Sequence, residues 1–212
     1  MDEKKGLLGY YNYTVILTYI GMLFGFTGIV CAIDNSFHNS ILCLMFAGLC
    51  DMFDGAVAST RKRDANEKCF GIQIDSLSDL ICFGVLPGLL IYCINGKTDL
   101  AFMLSGVYVL CALIRLSYFN VDEMNRQAKT DGAREYYFGM PVTLSAMIVP
   151  AYYEICSSFD LPIKTPGLVI LFMMAAAFLV PFRLKKPKII GKICFMLIGL
   201  GELFLLVLGV DM

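Results

Sequence analysis

The chain has 212 residues, 58% of them hydrophobic, and a mean hydropathy of +0.71. Soluble domains carry roughly 45–50% apolar residues, and here long apolar runs recur along nearly the whole length. The composition therefore excludes an ordinary soluble domain and predicts an all-α, polytopic bundle of transmembrane helices. The net charge of −1 singles out no partner beyond the membrane lipids, and no nucleic-acid partner is expected. Nine cysteines do not make a disulfide framework, because no CxxC pair occurs and Cys31, Cys43, Cys50, Cys82, Cys93, Cys111, Cys156 and Cys194 all lie in apolar stretches, as small packing residues do. With His38 as the only histidine, a zinc site is not expected either.

In chain order, the charged start MDEKKGLLGY precedes an apolar run too long for a signal-peptide core and without a small-residue cleavage site, so the first span is expected to be retained. At about 20 apolar residues per crossing, seven spans are expected, near 11–33, 38–60, 70–95, 99–119, 139–159, 166–182 and 190–210. The sixth, PGLVILFMMAAAFLVPF, is short, and without it the count is six. No linker, internal repeat or low-complexity tract divides the chain, so residues 1–212 are read as a single integral membrane domain. The basic residues test the count. Lys4 and Lys5; Arg61, Lys62, Arg63 and Lys68; Arg126, Lys129 and Arg134; and Arg183, Lys185, Lys186, Lys188 and Lys192 fall in alternate connections and make up 14 of the 17 lysines and arginines. Lys97 and Lys164 lie on the other side, and Arg115 lies inside the fourth span. By the positive-inside rule this predicts a cytoplasmic N-terminus and a cytoplasmic connection between spans two and three.

That connection is flanked by four acids. Asp51 and Asp54 are three residues apart, and Asp75 and Asp79 are four apart, so each pair shares one helix face near the cytoplasmic end of its span. A tight return through 61–69 would bring the pairs together. A charge at mid-bilayer costs about 2.5–3.5 kcal/mol, and clustered carboxylates repel, so a cation must compensate. Hard oxygen ligands in this number suit two ions of Mg²⁺ or Mn²⁺, with Ca²⁺ as a possible occupant. Gly55, Ala58 and Gly71 leave room beside the acids for a close backbone or a ligand. A divalent cation next to a gap and a basic loop suits a phosphate-bearing substrate. The bland alternative is that these acids cap helix ends or pair with Arg61–Arg63 in a solvated loop.

The stretch from 51 to 79 resembles the signature of the CDP-alcohol phosphatidyltransferases, D-x-x-D-G-x-x-A-R followed by G-x-x-x-D-x-x-x-D. It is matched here by Asp51, Asp54, Gly55, Ala58, Gly71, Asp75 and Asp79. It departs from the signature twice. Ser59 stands where the pattern has arginine, and the segment between Gly55 and Gly71 is three residues longer, so Arg61 or Arg63 is expected to supply the guanidinium to the substrate. Within the family, DSLSDLICFGVLP (75–87) and NVDEMNRQ…EYYFGMPVT (120–143) are most like the phosphatidylserine synthase branch. The resemblance implies a membrane-embedded CDP-alcohol phosphotransferase fold, commonly homodimeric. CDP-diacylglycerol would dock with its tails in the bilayer, the L-serine hydroxyl would attack, and CMP would leave. Asp51, Asp54 and Asp75 would hold the metals, and Asp79 would share one or act as the base. It also places Thr14 and Thr18, at the start of the first span, near the cytidine.

Arg115, in CALIRLSYFN, is an intramembrane arginine and hence a functional candidate for the serine carboxylate or a substrate phosphate. Asn120, Arg126 and Arg134, in the connection after span four, are further candidates for the serine pocket. Serine carries both charges, so its pocket should offer a cation and an anion, for which Arg115 with Asp122 or Glu123 would serve. The acceptor stays open at this point, with glycerol 3-phosphate and inositol phosphate as alternatives. A divalent-cation transporter would also want intramembrane acids, but such sites lie near the midplane with counterparts in both halves, and here the cluster occupies one half.

Overall fold

A computed structural model describes residues 9–129, 136–185, 197–204 and 206. In a bilayer the backbone must satisfy its own hydrogen bonds, so the apolar runs become helices. A 3₁₀ turn, Tyr13–Val15, leads into α1 (Ile16–Ile33), followed by α2 (Phe37–Ala58) and by α3 (Ala65–Asp79), which runs through a π-helical turn (Leu80–Val85) into α4 (Leu86–Ile94). Then come α5 (Asp99–Lys129), α6 (Ser145–Ser158) and α7 (Lys164–Leu179). Residues 197–204 are again helical. One small addition to the all-α expectation is a two-stranded antiparallel ribbon of β1 (Tyr136–Phe138) and β2 (Arg183–Lys185), with Tyr137 opposite Leu184.

Four helical stretches are long and apolar enough to cross a membrane: Tyr13–Ile33, Phe37–Ala58, Ala65–Ile94 and Asp99–Asn125. The helices α6 and α7, of 14 and 16 residues, coincide with the fifth and sixth expected spans but are shorter. Much of the seventh lies outside the described residues. The third stretch is central: 61% of its apolar window is buried inside the protein, against 28–39% for the other three. Leu86, Leu90 and Ile91 of α4 pack there with Ile41 and Leu44 of α2 and Leu171 of α7. Phe26, Phe102 and Met103 point outward, as lipid-facing side chains do.

Two boundaries differ from the sequence reading, each for a local reason. Span three starts at Ala65 rather than near 70 because Asp64 and Glu67 form a capping box: the Glu67 N–H donates to Asp64 Oδ1 (2.7 Å) and the Asp64 N–H to Glu67 Oε2 (3.2 Å). Lys68 therefore rides on the helix, not in a loop. The helix of span four runs on to Lys129, because NVDEMNRQAK contains no proline or glycine to stop it. Asn120, Asp122, Glu123 and Arg126 are thus helical.

Two devices set how the first four helices meet. Gly21, Gly25 and Gly28 form one buried stripe on α1. A Cβ at Gly25 would sit 2.5 Å from Cys82 Sγ, and one at Gly28 would sit 2.8 Å from a Leu86 methyl and 3.0 Å from Cys43 Cβ. The stripe lets α1 lie directly on α2 and on the π-turn, the close approach that small residues permit in membranes. The π-turn has its own cause. Pro87 has no N–H for the carbonyl four residues back, and its ring crowds that carbonyl. The carbonyl belongs to Phe83, and it accepts instead from Tyr108 Oη (2.7 Å) and Ser145 Oγ (3.2 Å), both fully buried. The widened turn thus begins directly after Asp79 and is held from α5 and α6. Gly25→Leu is expected to destabilise the detergent-solubilised protein by about 1–3 kcal/mol through overpacking, read as a lowered thermal unfolding midpoint. An unchanged midpoint would show that α1 is free to move away.

Candidate functional site

The site sits where the C-terminal half of α2 and the length of α3 lie against the start of α1. Helical spacing puts Asp51 and Asp54 on one face of α2, and Asp75 and Asp79 on one face of α3. The structure brings the two faces together. Asp51, Asp54 and Asp75, all partly buried, each offer a carboxylate oxygen within 4.8 Å of the others. Asp54 lies beside Asp75, and Asp51 beside Asp79. Asp79 stands one turn deeper than Asp75, outside that three-ligand group but on the wall of the same cavity. This cavity measures about 10 Å³, the space of one water or ion on this scale. Three hard oxygen donors converging on such a space fit a divalent cation. Among the described residues, none of the four acids caps a helix or pairs with the loop arginines; Asp64 takes the capping role instead.

The surrounding residues fall into distinct places. Thr18 Oγ1 donates to Asp54 Oδ2 (3.2 Å), orienting that carboxylate. Thr14 is buried, and both its N–H (3.1 Å) and its hydroxyl donate to Asn12 Oδ1. Gly55 has nothing within 4 Å of where a Cβ would be, so the space beside the first aspartate pair is open, next to the half-buried Ala58. Ser59 is exposed at the α2 C-terminus, and its hydroxyl donates back to the Ala56 carbonyl (2.6 Å). The two loop arginines separate. Arg61 is tied to Glu67 Oε1 at 3.2 Å. Arg63 lies against Gly71, where a Cβ would stand 3.0 Å from its Nη1. Gly71 thus admits a guanidinium one turn before Asp75. Arg115 is only 8% exposed; its guanidinium lies over the Phe119 ring, 5.7 Å from the centroid, and within electrostatic reach of Asp79. Asn120 Oδ1 accepts from Ser76 Oγ (2.7 Å), pinning α5 to the aspartate helix. Arg126 is on the last turns of α5 with its side chain outside the described residues, and Arg134 lies outside them altogether.

Glu67 was not among the residues expected at the site. It accepts from Asn12 Nδ2 (3.3 Å) and Arg61 while closing the capping box, so it ties the entry to α1 to the loop before α3. The spacing of Asp64 and Glu67 is its sequence signal. Pro87 is the corresponding signal for Tyr108 and Ser145.

The sequence profile of the CDP-alcohol phosphatidyltransferases matches residues 11–207, which includes every aspartate of this site. The chain belongs to the CDP-alcohol phosphatidyltransferase family. Among its curated relatives, an archaetidylserine synthase of Methanothermobacter thermautotrophicus is 31% identical over 157 residues, 72% of this chain and 62% of the relative. The CDP-diacylglycerol–serine O-phosphatidyltransferase of Saccharomyces cerevisiae is 33% identical over 156 residues, 63% of this chain and 52% of the relative. The enzyme of the same name from Methanocaldococcus jannaschii is 28% identical over 195 residues, 92% of this chain and 84% of the relative. The chain thus spans little more than half the length of the first two.

Mg²⁺ or Mn²⁺ is expected to raise the thermal unfolding midpoint of the wild-type protein, with a stabilisation of about 2.7 kcal/mol at a hundredfold excess over Kd. Asp54→Asn is expected to lose most of that shift. A wild-type midpoint indifferent to both ions would count against a cation site.

Proposed function

We propose that this family member transfers the phosphatidyl group of CDP-diacylglycerol to the hydroxyl of L-serine, giving phosphatidylserine and CMP. The observation that carries the reading is the convergence of Asp51, Asp54 and Asp75 from two helices, with Asp79 behind them, beside the open space at Gly55. The serine acceptor draws support from the names of the relatives, all three of which contain serine. Those names differ in the lipid, so they support the acceptor more strongly than the donor.

In this reading Asp51, Asp54 and Asp75 hold the divalent cations, and Thr18 fixes the Asp54 carboxylate for that task. When bound, the cations neutralise charge on the phosphate oxygens and on the leaving CMP. The residues of the chain do the rest. Arg63, seated on Gly71, offers the guanidinium that Ser59 cannot, and Arg61 is occupied by Glu67. Serine's hydroxyl is a weak nucleophile at neutral pH and needs a base in hydrogen-bonding reach. Asp79 takes that proton as the serine oxygen bonds to the phosphorus carrying diacylglycerol and the bond from that phosphorus to the CMP oxygen breaks. The positive-inside pattern supports a cytoplasmic N-terminus and a site at the cytoplasmic face, where the water-soluble acceptor is met.

The test is CMP release from CDP-diacylglycerol by purified protein with Mn²⁺ or Mg²⁺, with L-serine, glycerol 3-phosphate and inositol phosphate supplied in turn. Release is expected with serine alone and is expected to stop on chelation. Release with another acceptor would overturn the serine assignment and leave the metal site standing. Asp75→Asn is expected to lose more than the roughly 10–100-fold typical of residues that merely support metal ligands, while remaining folded and membrane-inserted. Arg63→Ala is expected to raise KM for CDP-diacylglycerol about tenfold, the effect of one charge-assisted hydrogen bond, and Arg61→Ala to raise it little. The reverse order would give Arg61 the role.

A further inference from the structure

The helix that carries Asp75 and Asp79 continues through the π-turn into α4, and its two halves have different partners. In α3, Asp75 lies beside Asp54 and Asp79 beside Asp51. In α4, Leu86 and Leu90 are fully buried in the apolar core. Positions 75, 79, 86 and 90 would form one stripe on an unbroken α-helix. A single face would then have to serve as acidic site and apolar core at once. The π-turn prevents this. In it the Leu86 N–H donates to the Ile81 carbonyl, five residues back instead of four. The extra residue rotates everything beyond it by about 100° relative to the aspartates, the angle of one helical residue. The direction of Asp79 relative to the core is therefore set by this turn, and the turn is gripped at one atom. That atom is the Phe83 carbonyl oxygen, which accepts from Tyr108 Oη of α5 (2.7 Å) and from Ser145 Oγ at the start of α6 (3.2 Å). Gly84, the next residue, lets α5 come close enough: a Cβ there would stand 3.3 Å from the Ala112 Cβ, one turn on from Tyr108. Cys82 and Phe83 of the turn line the same small cavity as the four aspartates.

We propose that Tyr108 and Ser145 are positioning residues for Asp79: by holding the Phe83 carbonyl between them, they keep the π-turn in place and Asp79 turned into the aspartate cavity. The inference rests on the reading of Asp79 as the proton acceptor, and it adds two residues that do not line that cavity. Two buried hydroxyls could serve only to satisfy a carbonyl that Pro87 leaves without a helical donor. Their place in the chain argues for more. The turn begins at the residue after Asp79. Slipping by one turn toward the N-terminus would put Asp79 on the α4 side of it and rotate Asp79 away from Asp75 by the same angle. Donors from two different helices fix the carbonyl in direction as well as in distance, which resists that slip. The three metal-ligand candidates are secured separately. Asp51 and Asp54 belong to α2, and Asp75 is followed by Ser76, which bonds to Asn120 of α5. Loss of the grip on Phe83 thus acts on the proton acceptor and spares the group that would hold the cation.

The experiment uses Tyr108→Phe, which removes the hydroxyl and keeps the ring, and Ser145→Ala. CMP release is measured with whichever of the three acceptors above the wild type uses. Tyr108→Phe is expected to lower kcat by about ten- to a hundredfold, the loss for a reacting group displaced by up to about 1 Å. KM for CDP-diacylglycerol and for the acceptor is expected to stay within about twofold, as for a contribution made only in the transition state. Ser145→Ala is expected to act in the same direction but less, and the double variant to fall below either. In each variant the rise of the thermal unfolding midpoint on adding Mn²⁺ or Mg²⁺ is expected to keep its wild-type size. A general loss of structure would shrink that rise and move both KM values. A kcat within about twofold of wild type in both single variants would overturn the inference and leave the proposed reaction standing. So would a loss carried by KM, or by the response to the metal ions, instead of by kcat. If Tyr108→Phe does not fold, Ser145→Ala decides by the same criteria. A wild type that releases no CMP with any acceptor would overturn the proposed reaction and this inference together.

Discussion

The crowding of carboxylates between α2 and α3 is the constraint on which the rest of the structure turns. Two unit charges 4.8 Å apart repel by roughly 3.5 kcal/mol at an effective dielectric of about 20. Asp51, Asp54 and Asp75 make three such pairs at or inside that distance, so full ionisation would cost on the order of 10 kcal/mol before Asp79 is counted. That matches the whole stability of an ordinary domain, about 5–15 kcal/mol. The bundle can hold this group only with part of that charge neutralised, by protonation or by a cation that enters with it. Arg115 supplies one fixed positive charge on the deep side, beside Asp79. The convergent oxygens are suited to take the rest as a divalent cation.

Holding that group together takes more than two helices. Each of α2 and α3 can present a pair of acids, but neither has a reason to face the other, because repulsion pushes them apart. The first helix acts as the clamp. Its stripe of Gly21, Gly25 and Gly28 brings the α1 backbone against Cys50, Cys43, Cys82 and Leu86, so both aspartate helices are bound to a common partner at close range. Thr18, one turn before the stripe, extends the clamp into the site through Asp54. The two motif glycines then have different physical roles. Gly55 faces open space and keeps it open, whereas Gly71 lets the Arg63 guanidinium rest on the helix surface. Exchanging either for alanine would disturb a different component.

The sequence made the aspartates conspicuous because their residue type contradicts their setting. Acids at spacings of three and four inside apolar runs are too costly to keep unless a cation meets them, and the two helix faces follow from the spacing alone. The spans were legible for the same reason that helices are obligatory in lipid. What could not be read depends on contacts between segments distant in the chain. Whether Arg61 or Arg63 reaches the motif is decided by Glu67, which holds Arg61 and also accepts from Asn12, 55 positions earlier. The π-turn after Asp79 has a local cause in Pro87, but its persistence depends on Tyr108 and Ser145, which are hydrogen-bond donors from two other helices. The polar last turns of α5 conceal its length, because polarity ends a span without ending a helix.

The aspartate helices are amphipathic in an unusual sense, and this bears on the kind of molecule the site can serve. Between Asp51 and Asp54 lie Met52 and Phe53, 37% and 47% exposed, and between Asp75 and Asp79 lies Leu77, 58% exposed. Within a single turn each helix goes from a carboxylate facing its partner to a side chain facing lipid. A soluble substrate would have no use for that proximity, since it could reach the acids through water alone. A substrate with a charged pyrophosphate and two acyl chains needs both surfaces at once, one to hold the head and one that is continuous with the bilayer for the tails. In the reaction proposed above, the open space at Gly55, next to Asp54, is where the head meets the acids while the tails stay in the membrane.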